Sequence, residues 1–423
     1  MQASPASAPR VKPTHVRHIV LGLTVAAYMI TYMDRVVISS AVPYLQKEFG
    51  FSTVTIGWIL GSYYWGYSVF QLPVAWLGDQ YGARRVLTAI VVWWSMLTSA
   101  TTTAWNAASM IAIRTLFGAG EAGAFPIATR SLSRWILPSE RGFAQGITHA
   151  GSRLGAALTP AFVGLIMAKY GWRSAFVSFG MLGLVWAAVW FWYYRDTPAE
   201  HPGANDAERE LIASSVGKRA DQHRVPWKKI LSSPQMWILA MMYFCYGYPL
   251  GIYLQWFPQY LNAERGFSLQ KMGFYASLPL FAAVLGDLSG GWISDILARH
   301  SDLRTARRRV AIVGFLAGGA AILVSSLAAN ALVSVAWSCV AMFGLELTVG
   351  VAWAVPLDIG GDYAGSVAAV MNSFGNMGSS VATIASGYLV KYFGWPSTFF
   401  AMSAMAFVGA ALFTRIDAGR RIC

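Results

Sequence analysis

The chain has 423 residues, of which 56% are hydrophobic and only 12% charged, and its formal net charge is +13. A water-soluble domain of this length carries about twice that charged fraction. A soluble enzyme or binding module is therefore excluded, and an integral membrane protein is expected. The basic surplus does not point to nucleic acid, because the Lys and Arg residues fall in alternate loops between apolar stretches rather than on one segment.

Residues 1–16, beginning MQASPASAPRVKPTH, are polar and rich in Pro and Ser, and read as a short tail without a secretory signal pattern. Apolar stretches follow at 17–45, 53–78, 84–103, 107–133, 141–169, 172–194, 235–260, 270–297, 308–328, 331–357, 365–391 and 395–415. Each comes near or above the roughly 20 residues that a spanning helix needs. Helix satisfies its own backbone within one segment, whereas a barrel would need alternating ten-residue strands, and no such alternation is seen. The expected fold is all-α, with twelve transmembrane helices in two six-helix bundles. With the N-terminus inside, the inner segments collect Arg10, Lys12, Arg17, Arg84, Arg85, Arg130, Arg134, Arg141, the 195–229 loop and the run from Arg299 to Arg309. The outer loops hold Lys47, Lys169, Arg173, Arg265, Lys271 and Lys391. This bias places both termini in the cytosol and the chain in the plasma (inner) membrane.

Charges inside these spans are the first candidates for function, since each costs about 2.5 to 3.5 kcal/mol at the bilayer centre on insertion scales. Span one carries Asp34 and Arg35, which as neighbours point to different sides of their helix, so at least one meets another span. Span two brings Tyr63, Tyr64 and Tyr67, and the turn after it reads Ala75-Trp-Leu-Gly-Asp79-Gln-Tyr-Gly82-Ala-Arg84-Arg85. In span four Arg114 and Glu121 are seven apart, two helical turns, and share a face. Arg114 suits a carboxylate because guanidinium stays charged and offers a fork of donors; Glu121, in an apolar setting, can take a proton near neutral pH. The alternative for this pair is a structural salt bridge. Span five presents His149 and Arg153 one turn apart; His149 reads as packing or as a proton relay.

A polar stretch at 196–233, with Pro198, Pro202 and mixed charge, reads as a cytosolic linker. Beyond it lie Gln255 in span seven, Asp287 and Asp295 in span eight, Glu346 in span ten, and Asn372 and Asn376 in span eleven. Asp287 lies two turns from Asp295 and is assigned to the same cytosolic end; Glu346 receives no role. The domain reading is a tail at 1–16, bundles at 17–195 and 234–415 flanking the 196–233 linker, and a tail at 416–423.

The two bundles are repeats. Tyr44-Leu45, Gly50-Phe51-Ser52, Gly57 and Asp79 recur 216 residues later as Tyr260-Leu261, Gly266-Phe267-Ser268, Gly273 and Asp295. Gly155, Gly164 and Gly171-Trp172 recur 223 residues later as Gly378, Gly387 and Gly394-Trp395. Parallel repeats of this kind build transporters whose site lies near the midplane between the halves. The offsets map Arg153 onto Asn376, His149 onto Asn372, and Asp34 and Arg35 onto Leu250 and Gly251, so Asp34, Arg35, Arg114, Glu121 and Arg153 form a set confined to the first half, with neutral residues at the positions matching Asp34, Arg35 and Arg153.

The turn at 75–85, and Gly291-Trp-Ile-Ser-Asp295 followed by Arg299, resemble the cytosolic signature loop of the major facilitator superfamily, with Ala75 and Gln80 as departures. A carboxylate at a helix end can hold basic side chains in one state and release them in another, so Asp79, Arg84, Arg85 and Asp295 are candidate gating residues; ordinary topogenic charge is the other reading of the arginines. The run Arg114-x3-Gly118-x-Gly120-Glu121-x3-Phe125-Pro126, continuing to Trp135-x2-Pro138-x-Glu140-Arg141-Gly142, resembles the fourth span of the anion:cation symporter family, as does Tyr32-Met33-Asp34-Arg35. That family includes carriers of galactonate, glucarate and hexuronates. The resemblance implies proton coupling at Asp34 and Glu121, anion binding at Arg35 and Arg114, and a place near the substrate for Tyr67. Arg153 departs from the family and is either a third anchor or a partner for Glu121. Gln255, Asn372 and Asn376 complete the candidate substrate contacts.

The expectation is thus a proton-driven importer of a small organic anion, most simply a sugar acid, working by alternating access. An exporter or antiporter of the same fold and a transport-inactive ligand sensor stay open, as does sodium as the coupling ion. Cys245, Cys339 and Cys423 show no metal spacing or disulfide framework, no Walker-type loop occurs, and no catalytic constellation is present. No cofactor other than the coupled proton is expected. The expected partners are the anion and the lipid bilayer, in a monomer, since each chain holds a complete pathway.

Overall fold

The computed structural model describes residues 12–137, 140–215, 225–298, 300–360 and 363–417. Every regular element among them is helical. The first group comprises α1 (Val16–Phe49), α2 (Thr53–Tyr81), α3 (Ala83–Ala100), α4 (Ala107–Glu121), α5 (Ala124–Trp135), α6 (Arg141–Tyr170) and α7 (Trp172–Tyr193). Two short helices, α8 (Asp206–Ser215) and α9 (Trp227–Ser232), follow. The second group is α10 (Pro234–Gln255), α11 (Phe257–Ala263), α12 (Leu269–Ala298), α13 (Leu303–Leu327), α14 (Ala331–Gly360), α15 (Ala364–Phe393) and α16 (Trp395–Phe413). Among the described residues nine helices are long and apolar enough to cross a membrane. The other three expected spans are helical too, as α2, α4 with α5, and α15. Their sequences explain why they fall short: α2 is rich in Tyr and Trp, α4 stops at Glu121, and α15 carries Asn372, Ser373, Asn376, Ser379, Ser380, Thr383 and Ser386.

Two expected spans are broken. The stretch 107–133 divides after Glu121, and 235–260 divides at Trp256. Pro126 and Pro258 supply the reason, because each lacks the N–H that would bond the carbonyl four residues earlier. Non-helical backbone at membrane depth is tolerated where protein buries it or it lines a cavity. Both breaks sit beside candidate site residues, Glu121 and Gln255.

The repeat is visible in the backbone. The glycines with positive φ are Gly50, Gly82, Gly171, Gly266 and Gly394. Gly50 and Gly266 stand 216 apart and Gly171 and Gly394 stand 223 apart, at matching helix ends where a side chain would be strained. Packing repeats as well. The pairs α1 with α6, α2 with α4, and α3 with α7 recur as α10 with α15, α12 with α14, and α13 with α16. The groups meet through α6 with α12 and α2 with α15, two contacts that exchange under the repeat, as a pseudo-two-fold axis requires.

Where the groups meet, one end is pressed together. A Cβ on Gly273 would lie 2.4 Å from the Pro160 carbonyl oxygen, and one on Gly61 would lie 2.5 Å from Ile384. At the same end Trp58 donates to the Tyr388 hydroxyl over 3.2 Å and Gln259 donates to Gln46 over 2.6 Å. This is the end carrying the 50–53 and 264–268 loops.

The linker does more than tether. Its Asp196 accepts from the Ala83 and Arg84 amides at 2.8 and 3.3 Å, and its Glu208 accepts from the Val16 and Arg17 amides at 3.3 and 3.1 Å. Two linker carboxylates therefore satisfy the first N–H groups of α3 and α1, where the helix dipole favours negative charge.

Candidate functional site

The site is assembled around α1. Asp34 and Arg35 follow one another, so the helix turns them about 100° apart. Arg35 faces the molecular centre, where its Nη2 donates to Glu121 Oε1 over 2.9 Å, tying α1 to the end of α4. Its guanidinium carbon lies 4.5, 5.0 and 5.3 Å from the ring centroids of Tyr32, Tyr63 and Tyr67. An aromatic cage of this kind attracts a cation by its ring quadrupoles and excludes water. Asp34 is fully buried, in the field of Glu121 and Arg114 and beside Trp94 and Thr98 of α3. Neither of its oxygens has a hydrogen-bond partner.

Arg114 is held by packing rather than by an ion pair. Its guanidinium lies 4.5 Å from the Phe117 ring and 5.5 Å from that of Tyr63, and its Nε and Nη2 are buried without a hydrogen-bond partner. The approach of α2 to α4 that makes this possible requires glycine on both sides. A Cβ on Gly66 would lie 2.0 Å from the Thr115 oxygen, and one on Gly118 would lie 2.1 Å from that of Tyr63. The Arg114–Glu121 salt bridge weighed from the spacing is not what forms: the glutamate's ion-pair partner is Arg35. Helix periodicity gives the shared face but not which neighbour reaches across it.

Arg153 also differs from expectation. It does not pair with Glu121; its Nη2 lies 3.0 Å from Glu346 Oε2 and 3.3 Å from the Tyr246 hydroxyl, which itself donates to Glu346 Oε1 over 2.7 Å. This joins α6 of the first group to α10 and α14 of the second. Glu346 is fully buried, so the buried charges are not confined to the first half. Asp287, half-buried, lies in the field of Arg153 and Glu346. The signal for Glu346 was available in the sequence, as a lone acid in an apolar span.

The remaining candidates divide. Tyr67 lines the Arg35 cage, and the Gln255 side chain donates to the Arg35 carbonyl over 3.4 Å while its own Oε1 has no partner. Asn376 instead donates to the Asn372 carbonyl on its own helix over 2.9 Å, and among the described residues neither asparagine hydrogen-bonds the arginines. His149 packs among the rings of Tyr28, Phe125 and Trp353, the packing alternative of the two. Of the gating candidates, Arg84 donates from Nε to the Phe191 carbonyl over 2.9 Å and Arg85 is exposed. The side chains of Asp79 and Asp295 lie outside the described residues, as does Cys423.

Three buried guanidiniums, four donor atoms of which lack partners (Arg35 Nε, Arg114 Nε and Nη2, Arg153 Nε), can bind anions. Three buried carboxylates among them can balance or release that charge.

Comparison with known proteins agrees with this chemistry. The model of the Major Facilitator Superfamily matches residues 24–383. A probable sulfoacetate transporter from Cupriavidus necator is 36% identical over 93% of this chain and 92% of its own length. The hexuronate transporter of Bacillus subtilis is 29% identical over 91% of each. The crystal structure of a bacterial homologue of the human lysosomal transporter Spinster, inward-facing and unoccupied, superposes with a TM-score of 0.78 at 16% identity, covering 95% of this chain and 97% of that one. The chain is thus a transporter rather than an enzyme, and it belongs to the Major Facilitator Superfamily, in its anion:cation symporter branch.

Proposed function

We propose that the protein carries a small organic anion across the plasma membrane together with protons, by alternating access, with twelve spans and both termini in the cytosol. The observation that carries this reading is the Arg35–Glu121 pair set beside Arg114, whose Nε and Nη2 have no hydrogen-bond partner. While Glu121 is ionised it occupies Arg35. A proton on Glu121 breaks that ion pair and leaves Arg35 and Arg114 to the carboxylate or sulfonate of a substrate. Asp34, in the field of Arg114, is the second proton acceptor. Proton and anion then favour each other's binding, which is the linkage a symporter needs.

The halves press together at the 50–53 end and also touch nearer the basic loops, which this reading assigns to the cytosol, at His149 with Trp353 and at Ser373 with Gln71. Relatives named for sulfoacetate and for hexuronate support a small organic acid, sugar acids among them, as cargo. Uptake into proteoliposomes under an imposed pH gradient tests the reading. Accumulation of a labelled organic acid that collapses with a protonophore is expected; accumulation that needs sodium and ignores the proton gradient overturns the coupling.

A further inference from the structure

Arg153 and Glu346 form an ion pair whose two members belong to halves that must move relative to one another. Arg153 projects from α6, one turn from His149, and both side chains meet the second half, His149 at Trp353 and Arg153 at Glu346. The receiving surface is built. Trp353 donates to the Tyr243 hydroxyl over 2.7 Å, Tyr243 stacks on Tyr246 with centroids 5.1 Å apart, and Tyr246 donates to Glu346. Burying such a pair costs several kcal/mol of desolvation for each ion, so hydrophobic residues would serve better if adhesion between the halves were its purpose.

The position of Arg153 gives a different purpose. Its guanidinium carbon lies 5.8 Å from the centroid of the Tyr32 ring, and that of Arg35 lies 4.5 Å from the same centroid. These two distances bound the separation of the guanidiniums at about 10 Å. A guanidinium and the acid it binds stand about 4 Å apart, centre to centre. With an acid group between the two guanidiniums at each end, the span between Arg35 and Arg153 suits two acid groups on one shared carbon, and is short for the two ends of an extended six-carbon diacid. Arg153 Nε is buried without a partner, so the guanidinium holds a free donor while Glu346 occupies Nη2.

We propose that Arg153 is the second anchor of a short dianion, one acid group of which binds at Arg35 and Arg114, and that Glu346 is the intramolecular stand-in for the other. Substrate entry displaces Glu346 from Arg153, exchanging a tie between the halves for a contact with the cargo. The displaced carboxylate keeps the Tyr246 hydrogen bond, with Asp287 the other titratable group in its field. The inference rests on reading the arginine cluster as the substrate site, and it names the substrate class.

The test uses the full chain in detergent or nanodiscs, with sulfoacetate as the dianion and its carboxamide, sulfoacetamide, as a monoanion of nearly the same shape. Wild type is expected to bind the dianion more tightly than the amide, and glucarate less tightly than sulfoacetate. Arg153→Gln is expected to weaken the dianion about tenfold more than the amide. Glu346→Gln, which removes the competitor, is expected to bind the dianion at least as tightly as wild type. The double variant R153E/E346R restores an ion pair between the halves, and is expected to recover thermal stability without recovering the dianion preference. That variant carries the test if Arg153→Gln does not fold. Equal losses for dianion and amide in Arg153→Gln, loss of dianion binding in Glu346→Gln, or a double variant that regains the preference would each overturn the proposal while leaving organic-anion transport in place. Failure of wild type to bind any of these anions, or gluconate and galacturonate beside them, would instead overturn the broader reading and this inference with it.

Discussion

Arg35 donates to Glu121 over 2.9 Å, from the middle of one helix to the last residue of another, while Arg114, two turns before Glu121 on that second helix, has no ion-pair partner. The protonatable acid is thus attached to one arginine and leaves the other available. In Glu121→Gln the pair is broken permanently, so Arg35 is free at any pH. Exchange of labelled for unlabelled substrate is expected to persist and to lose the part of its pH dependence that Glu121 supplies, leaving that of Asp34, while accumulation driven by a proton gradient falls about tenfold or more. Counterflow and gradient-driven uptake in the same proteoliposomes check this; retention of gradient-driven accumulation would remove Glu121 from the coupling.

Removing Arg35 alone leaves Glu121 buried and unpaired, a defect worth about 3 to 5 kcal/mol in measured cases. Arg35→Gln is therefore expected to yield little folded protein. The double variant R35Q/E121Q is expected to recover the folded yield, since neither member of the pair is left charged without the other, yet not to bind substrate. Monodispersity and thermal unfolding read the first effect, and ligand binding the second.

Glycine 273 lies so close to Pro160 that any side chain must part α12 from α6 at the sealed end. Gly273→Val is expected to shift the population toward the opposite facing state, since overpacking costs about 1 to 3 kcal/mol. Spin labels on α2 and α15 near this end, at positions that leave the Trp58–Tyr388 hydrogen bond in place, should report a longer distance in the variant. An unchanged distance distribution would show that the seal does not depend on this approach.

Asp196 accepts from two amides at the start of α3, and its carboxylate lies 3.9 Å from Arg134. Replacing a capping residue by Ala costs about 0.5 to 2 kcal/mol, whereas Asn caps as well as Asp. Asp196→Ala should lower the apparent Tm, and Asp196→Asn should retain most of it. Equal losses would assign the stabilisation to charge rather than to the cap.

The spans, the repeat and the arginine-rich centre were legible because hydropathy, constant offsets and the cost of buried charge are one-dimensional signals. Pairing was not. The spacing of Arg114 and Glu121 gives a common face, yet the glutamate reaches across to Arg35, a choice made by the approach of α1 to α4 that no local pattern records. The breaks after Glu121 and at Trp256 could have been read from Pro126 and Pro258, but the apolar character continues through both and masks them. Glu346 escaped for a different reason. The repeat assigned neutral residues to the positions matching Asp34, Arg35 and Arg153, and Glu346 answers none of these; it enters the site from a helix whose repeat mate supplies Arg114 and Glu121.

The seal at the 50–53 end consists of backbone approaches at Gly61 and Gly273 and hydrogen bonds between neutral side chains, Trp58 with Tyr388 and Gln46 with Gln259. Contacts of that kind offer nothing for dissolved ions to screen. At the opposite end Arg84, Arg134 and Asp196 hold α3, α5 and α7 of the first half together, charges partly open to water and therefore sensitive to ionic strength. Salt should thus leave the seal at the 50–53 end unchanged while loosening the first half at its basic end, so the two ends of a carrier built from copied halves would answer ionic strength differently.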